Sequence, residues 1–330
     1  MLSPLISTPL RPDAGEARSV SVVVPSYNHA KFVERTLRSI YRQTLAPFEL
    51  IVIDDGSHDE SVAVIERVLQ DAPFPARLIA RENRGLSATL NEAFAQTVDS
   101  RFFAYIGSDD VWLPEFLERR VKLLEERPEA VLAYGNAYSI DADDRIIDST
   151  VDWARYVDGD VREMLLDTLA PLSPTVVYRR SAITDLRWNE NSRLEDYELY
   201  LRLSVRGEFA YDPSILSAWR QHGANASEGT QMMLDERLAA VTATADVLKL
   251  SPAELAMRKR LVYFRSAQEF MRSGRKRDAI VNGIPNLSGA KSVNEVIRFL
   301  GGLATPSERL ARRRLTVRAK AAEQYGRLEL

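Results

Sequence analysis

Residues 48–70 read FELIVIDDGSHDESVAVIERVLQ and contain one complete strand and helix unit. Five of the first six residues are apolar, which predicts a buried strand over 48–53. The turn DDGS follows, and the apolar spacing beyond it predicts a helix over 58–70. A short buried strand that leads directly into a helix is the repeating unit of α/β folds.

The same unit recurs through the first half of the chain. Strands are predicted over 20–24, 48–53, 76–80, 102–106 and 130–134, and helices over 30–43, 58–70, 87–96 and 114–126. This alternation predicts a parallel sheet with helices on both faces. Ligands bind such sheets outside the carboxyl ends of the strands. Four unusual segments lie there, namely PSYN (25–28), DDGS (54–57), ENRG (82–85) and GSDD (107–110).

The composition is that of a globular protein with a substantial core. The chain has 330 residues, of which 45% are hydrophobic and 28% charged, enough for one large domain with an appendage or for two domains. Cysteine is absent, which excludes disulfides, cysteine-based metal sites and a thiol nucleophile and favours a cytoplasmic location. Residues 1–18 are predicted to be a flexible tail, because three prolines interrupt them and no basic segment precedes an apolar run. No window approaches the roughly 18 apolar residues of a membrane span.

Charge is distributed unevenly along the chain. The net charge is −3, but residues 231–330 carry 19 Lys and Arg against 10 Asp and Glu, a balance of +9. The first 230 residues therefore carry 25 against 37, a balance of −12. An acidic body argues against a nucleic-acid-binding function.

The pattern becomes helical from about residue 230, so we predict one domain over 19–228 and a basic helical region over 229–330. The apolar segment VNEVIRFLGGL (293–303) lies between basic clusters in this region. That combination suits a helix in an anionic membrane interface. Charged helix faces are also often simply solvated, so both interpretations stay open.

Two adjacent aspartates follow the strand predicted over 102–106. Helix capping does not explain them, because Pro114 at the first helical position would make Leu113 the N-cap, three to four residues beyond Asp110 and Asp109. Two like charges at a strand end favour a divalent cation, which prefers carboxylate oxygens. The segment is therefore either a metal site or a solvated acidic turn.

Capping residues are predicted for three helices, namely Ser57 with Glu60, Ser192 with Glu195, and Ser87 alone. These assignments leave Asp54, Asp55 and Asp196 without a capping role. A carboxylate at the end of the second strand suits hydrogen bonds from a ribose or a pyrimidine N–H. Asp196 is either a first-turn aspartate favoured by the helix dipole or a general base.

Four further side chains are candidates for binding. Tyr27 suits either a ring stacked on a nucleotide base or a lid on the core. Asn91 lowers the helix propensity of its segment, which suggests that its side chain has a structural or binding role. Arg220 and His222 lie in WRQH, and the chain has only three histidines. A lone histidine is usually structural or solvated, and it becomes a candidate ligand if carboxylates and phosphate complete a metal shell.

Taken in order, six strings form a recognisable series: VVVPSYNHAKFVERTLRSIYRQT, FELIVIDDGSHDES, NRGLSATLNEAF, FFAYIGSDDVWLP, RLEDYELYLRL and WRQHGANAS. The series resembles the successive motifs of family 2 glycosyltransferases with the GT-A fold, over about residues 19–228. The resemblance implies a Rossmann-like central sheet, here with a C-terminal helical appendage. It also implies Asp196 as the catalytic base and a divalent cation, Mn²⁺ or Mg²⁺. The donor-binding residues that it implies are Pro25, Tyr27, Asn28, Asp55, Asn83, Gly85, Asp109 and Arg220.

Two positions depart from the pattern of this family. The resemblance implies that Asp109 and Asp110 form the metal and diphosphate site, with His222 as a further metal contact. Gly107 stands where many relatives have the first aspartate of the DxD motif, which assigns the metal to Asp110 and places Asp109 nearer the donor ribose or sugar. Leu90 stands where many relatives have an arginine that contacts the diphosphate. Arg84 or Arg220 would then supply that positive charge.

The resemblance thus predicts an inverting transfer of a sugar from a UDP, dTDP or GDP donor to a hydroxyl of a glycan or lipid-linked acceptor. Bacterial surface polysaccharide synthesis is the predicted setting, in the cytoplasm or at the inner face of the membrane. A sugar-nucleotide nucleotidyltransferase is the nearest rival, but it would show a glycine-rich basic loop where this chain has PSYNHAKF. A non-catalytic nucleotide-binding module would not require Asp196.

Overall fold

The computed structural model describes residues 19–97, 100–222 and 229–329. The predicted tail at 1–18 and the predicted domain boundary near 228 lie outside the described residues.

Within these ranges nine strands form one sheet. They are β1 (Val20–Ser26), β2 (Glu49–Asp54), β3 (Ala76–Ala80), β4 (Phe102–Tyr105), β5 (Val111–Trp112), β6 (Ala130–Ile140), β7 (Ile146–Ser149), β8 (Val177–Arg179) and β9 (Glu208–Arg220). Their order is β3-β2-β1-β4-β8-β6-β9-β5, and β7 pairs with β6. The first four strands are parallel, with Val22 opposite Leu50 on one side and Ala104 on the other. Strand β8 is antiparallel to both β4 and β6, so the complete sheet is mixed.

The described helices number thirteen. They are α1 (Val33–Tyr41), α2 (Ser61–Leu69), α3 (Leu86–Gln96), α4 (Phe116–Glu126), α5 (Thr150–Trp153), α6 (Arg162–Leu166), α7 (Arg180–Ile183), α8 (Glu195–Leu203), α9 (Thr230–Ala243), α10 (Pro252–Arg272), α11 (Lys276–Gly283), α12 (Val293–Ala304) and α13 (Ser307–Tyr325). The predicted α/β architecture and the helical C-terminal region are confirmed. Most helices begin or end a few residues inside their predicted limits.

Alternation along β1 explains how the sheet separates two apolar layers. Val22 and Val24 point into the layer beneath α1, α2 and α4, whereas Val23 points into the opposite layer with α3 and α8. Successive side chains of a strand face opposite sides of a sheet, so a run of valines fills both layers.

The C-terminal helices share the second of these layers. Leu234 and Val241 of α9 and Phe264 of α10 are buried in the same cluster as Tyr197 and Leu199 of α8. Residues 230–272 therefore pack directly against the sheet layer through apolar side chains.

The predicted caps did not form. The Oγ atom of Ser57 bonds Asp54 and the N–H of Asn28 instead of a helix N-terminus, and that of Ser192 bonds Glu236. Helix α3 begins at Leu86 after Gly85, so Ser87 is already inside it. Helix α4 begins at Phe116, beyond the proline that was predicted to start it. For Ser57 and Ser192, hydrogen bonds to other side chains and loops replace the predicted capping contacts.

Candidate active site

The loops that follow β1 and β2 are tied together at the carboxyl edge of the sheet. Asn28, in the left-handed region at φ 54°, accepts a hydrogen bond from the His58 N–H at 2.8 Å. Its own N–H donates to Ser57 Oγ at 2.8 Å. The hydroxyl and the N–H of Ser57 in turn donate to Asp54, at 2.7 and 2.8 Å. Asp54 is thus a structural turn residue, and the two loops form one rigid rim.

Asp55 connects this rim to the loop after β3. Its carboxylate accepts hydrogen bonds from the N–H groups of Arg84 and Gly85, each at 2.8 Å, and from the guanidinium of Arg81. Gly85 has φ 87°, a conformation that L side chains rarely adopt. Asp55 therefore fixes the 83–85 segment, which holds the predicted donor residues Asn83 and Gly85.

Tyr27 is 43% exposed beside this rim, and Pro25 is buried within β1. The exposed ring shows that Tyr27 does not serve as a lid on the core. A stacking contact between this ring and a nucleoside base stays a prediction.

Three side chains from separate elements converge on the same edge of the sheet. One possible ligand atom from each of His29, Asp109 and His222 lies within 4.8 Å of the others. His222 Nε2 lies 3.0 Å from Asp109 Oδ2, and His29 Nδ1 lies 3.7 Å from Asp109 Oδ1 and 2.8 Å from Ser108 Oγ. Burial lowers the pKa of His29, whereas the hydrogen bond to Asp109 raises the pKa of His222. Two imidazoles and one carboxylate at these short distances form a suitable set of ligands for a divalent cation.

Asp110, the predicted metal ligand, is not part of this group. Its Oδ1 accepts the backbone N–H of Arg220 at 2.8 Å, and the side chain is 4% exposed. Burial, together with the charge of Asp109, raises the pKa of Asp110 well above its usual range. Among the described residues, the carboxylate that meets the imidazoles is Asp109, whereas Asp110 is held by the backbone N–H of Arg220.

Arg220 makes hydrogen bonds that hold the backbone around Asp109 and Asp110. Its guanidinium donates to the carbonyl oxygens of Asp109 at 2.7 Å and Asp141 at 2.8 Å, and to Asp144 Oδ1 at 2.7 Å. The residue is 1% exposed and lies over the ring of Phe32. This geometry favours a positioning role, and direct contact between Arg220 and a donor stays a prediction.

Two further carboxylates lie at the start of α8. Tyr105 Oη donates to Glu195 Oε1 at 3.4 Å, and Asp196 is the next residue. Burial raises the pKa of Asp196 to about 6, and burial together with the charge of Asp196 raises that of Glu195 to about 8. The charge of Glu195 also contributes a little to the raised pKa of Asp110. A carboxylate with a pKa near 6 is suited to accept a proton at neutral pH.

The structure gives the surroundings of Leu90 and Asn91 on α3 and of Arg84 just before it. Leu90 is fully buried in the core, so its position cannot present a cation to a ligand. Asn91 clamps a loop, because its amide donates to Trp188 O and accepts from Trp188 N, each at 2.9 Å. Arg84 is half exposed and lies 3.2 Å from Glu92.

Sequence reasoning missed His29. The available signal was its position, three residues beyond the end of β1, in a chain with only three histidines. Its partners lie 80 and 193 residues away in sequence, so local spacing did not reveal the group.

Comparison with known protein families identifies the chain. Residues 21–187, which are 167 of the 330, match the family described as Glycosyl transferase family 2. The chain belongs to glycosyl transferase family 2. The predicted family is therefore confirmed, and the rim, the aspartate pair and β8 all lie within the matched region.

Curated relatives of this glycosyltransferase are distant. An uncharacterised glycosyltransferase of Nostoc sp. is 29% identical over 168 residues, covering 50% of this chain and 52% of that protein. Chondroitin synthase of Escherichia coli is 26% identical over 209 residues, covering 63% and 30%, respectively. Hyaluronan synthase of Pasteurella multocida is 24% identical over 215 residues, covering 63% and 21%. The glycosyltransferase thus spans between about a fifth and a half of these relatives.

Solved structures with the same fold confirm the GT-A architecture. The mannosyltransferase PcManGT of Pyrobaculum calidifontis, solved with GDP-Man and Mn²⁺, gives a TM-score of 0.59 at 16% identity, covering 96% of this chain and 89% of that one. TarS 1–349 of Staphylococcus aureus, solved with UDP-GlcNAc, gives 0.53 at 15% identity, covering 82% and 89%. None of the described helices of this glycosyltransferase has the length and apolar character needed to cross a membrane.

Proposed function

We propose that this glycosyltransferase moves a sugar, with inversion, from a nucleoside diphosphate donor to a hydroxyl of a glycan or lipid-linked acceptor in bacterial surface polysaccharide synthesis. The observation that carries the proposal is the convergence of His29, Asp109 and His222 at the carboxyl edge of the sheet. The names of the relatives, two of them polysaccharide synthases, support a polymeric acceptor. The neighbouring structures contain UDP or GDP sugars, which supports the donor class.

The donor set fits a divalent cation of intermediate hardness. Imidazole nitrogens suit transition metals, whereas Mg²⁺ strongly prefers oxygen ligands. A site with two imidazoles and one carboxylate therefore favours Mn²⁺ over Mg²⁺. When bound, the cation supplies positive charge that neutralises the departing diphosphate. The guanidinium of Arg220 donates to the main-chain oxygen of Asp109, which preorganises this ligand.

The nucleoside is proposed to lie between Tyr27 and the 83–85 segment. The exposed ring of Tyr27 offers a stacking surface for a base, a contact typical of nucleotide recognition. Asp55 and Asn28 fix the two sides of this site through the hydrogen bonds described above. Arg84, half exposed at the same segment, is the proposed cation toward the diphosphate.

Asp196 is the proposed general base. It would take the proton of the acceptor hydroxyl as that oxygen attacks the anomeric carbon opposite the leaving nucleoside diphosphate. The carbon–oxygen bond to the acceptor forms as the bond to the diphosphate breaks, so the anomeric configuration inverts. The raised pKa of Asp196 makes it a stronger base than an ordinary aspartate while it stays ionised at neutral pH.

The test is donor hydrolysis by the full-length protein. Panels of UDP, dTDP and GDP sugars would be incubated with Mn²⁺, and release of nucleoside diphosphate would be measured for the parent, His29→Gln and His58→Gln. We expect Mn²⁺-dependent release that His29→Gln reduces by at least about tenfold, in keeping with loss of one ligand. The exposed His58 is the matched control and should leave the rate unchanged. Binding of nucleoside diphosphates without release from any sugar would instead indicate a non-catalytic module.

A further inference from the structure

Large apolar side chains are exposed in unusual number on α11, α12 and the turn between them. Fourteen large apolar residues are exposed in the described chain, and six of these lie within residues 280–300. They are Ile280, Val281, Ile284, Val293, Ile297 and Leu300, with exposures from 42% to 75%. Single exposed apolar residues are ordinary, whereas a concentration of them marks an interaction surface.

The exposed residues of α12 form one stripe. Val293, Ile297 and Leu300 are spaced i, i+4 and i+7, so they lie on a single side of the helix. Ile280 and Val281 of α11 and Ile284, the residue directly after it, also lie on one side, because Ile284 keeps helical backbone angles and the spacing is i, i+1 and i+4. We call these six residues the apolar face.

The rotation of α12 about its axis is fixed by the opposite side of the helix. Phe299 is 1% exposed, and its ring lies 5.3 Å from that of Phe264. A Cβ on Gly283 would lie 2.3 Å from the Phe299 ring, so α11 and α12 are in direct contact there. Lys276 Nζ donates to Leu303 O at 2.8 Å and ties α11 to the end of α12. The stripe therefore cannot turn inward without removing Phe299 from the core.

Cations without ion pairs lie beside the apolar face. Arg272, Arg277 and Arg298 are exposed, and no carboxylate of the described chain pairs with them. Arg272 and Arg298 line a groove of about 280 Å³ between α10 and α12, together with Arg265 and Glu295. A groove lined by three arginines and one glutamate carries net positive charge and suits a phosphate group.

We propose that the apolar face docks on the surface of an anionic phospholipid bilayer, with phosphate groups at Arg272 and Arg298. Apolar side chains flanked by cations are the features of a helix lying in an anionic interface. A second copy of this chain would bring the same unpaired cations against each other, which disfavours self-association through this face. The +9 balance of residues 231–330 extends the same positive sign over the whole region.

The test is cosedimentation of the full-length protein with vesicles of phosphatidylcholine, alone or mixed with phosphatidylglycerol. We expect binding to the mixed vesicles that weakens as salt rises. Val293→Ser with Ile297→Ser should weaken binding by at least about tenfold, because two apolar side chains lose their burial in the interface. Val247→Ser with Leu315→Ser is the matched control, since these residues are exposed elsewhere and should have no effect. Arg272→Gln and Arg298→Gln should each weaken binding by about fivefold.

Three results would overturn the proposal. The first is that the full-length protein does not bind the mixed vesicles at low salt. The second is that the double variant, Val293→Ser with Ile297→Ser, binds them as well as the parent. The third is a dimer, seen by light scattering, that this variant converts to a monomer, because a second copy would then cover the face. Donor hydrolysis by the variant should match the parent, so failure of docking is distinguishable from failure of the proposed function.

Discussion

Asp109 and Asp110 are adjacent in sequence but have different surroundings. Asp109 meets two imidazoles, whereas Asp110 turns toward the backbone N–H of Arg220. A sequence can indicate that a carboxylate pair follows a strand, as it did here. It does not indicate which member meets the imidazoles, because that depends on Arg220, 110 residues away from Asp110. A metal-binding role for either aspartate stays a prediction.

Asp196→Asn should retain donor binding and lose transfer by at least about a hundredfold, since the amide has nearly the same shape but cannot accept a proton. Transfer rates and calorimetric affinities for the donor would be measured side by side. If the variant transfers sugar at close to the parent rate, Asp196 is not the general base and serves only as a residue at the helix terminus.

The pH dependence of transfer should reflect the same carboxylate. Burial raises the pKa of Asp196 to about 6, so the base is protonated below that pH and the rate should rise as pH increases through about 6. The positive charge of Arg237 lowers this pKa, so Arg237→Gln should move the midpoint of the rate profile to higher pH. An unchanged midpoint in this variant would contradict the assigned environment of Asp196.

At the scale of elements, β1, β2, β4 and the start of β6 were predictable because each is a short apolar run buried on both faces of the sheet. Strand β3 was predicted from its sequence although its residues are only partly buried or exposed. The capping residues were less predictable. Ser251 and Glu254 form a capping box on α10, but the same S-x-x-E spacing at Ser57 and Ser192 does not. The reason is that other groups compete for these hydroxyls. The hydroxyl of Ser57 bonds the neighbouring Asp54 and the distant Asn28, and that of Ser192 bonds the distant Glu236, a partner that the sequence around Ser192 does not show.

Two glycines of the C-terminal helices should respond oppositely to alanine. In Gly283→Ala the new Cβ would lie 2.3 Å from the Phe299 ring and 2.9 Å from Ala267 Cβ, so we expect destabilisation by about 1–3 kcal/mol. Gly301→Ala meets nothing within 4 Å and should stabilise α12 by up to about 1 kcal/mol. Denaturant unfolding of both variants checks this pair. Equal effects would mean that α11 and α12 do not pack as described.

At the scale of the whole molecule, the C-terminal end returns to the site. Leu328 O accepts a hydrogen bond from Arg35 at 2.8 Å, and the N–H of Leu328 donates to Asp144 O at 2.9 Å. Asp144 also accepts a hydrogen bond from the guanidinium of Arg220, the residue that holds Asp109 and Asp110. No local pattern predicts this connection, because it joins residues at opposite ends of the chain.

Truncation after residue 228 should prevent folding of the remaining chain. It would remove Leu234, Val241 and Phe264 from a core that they share with α8, and it would remove Arg237 from beside Asp196. Loss of several fully buried side chains costs more than a typical domain's stability of about 5–15 kcal/mol allows. Circular dichroism and denaturant unfolding of residues 19–228 would check this. A cooperative unfolding transition would instead support the predicted domain boundary.

The assignment of Asp109, with His29 and His222, as the metal-binding group is tested most directly by Mn²⁺ titration followed by electron paramagnetic resonance. The full-length parent, Asp109→Asn, His222→Gln and the control His58→Gln would be titrated in the presence of UDP or GDP. We predict saturable Mn²⁺ binding by the parent and the control, and a loss of affinity of about tenfold or more in the other two variants. Equal titration curves for the parent and Asp109→Asn would contradict the account.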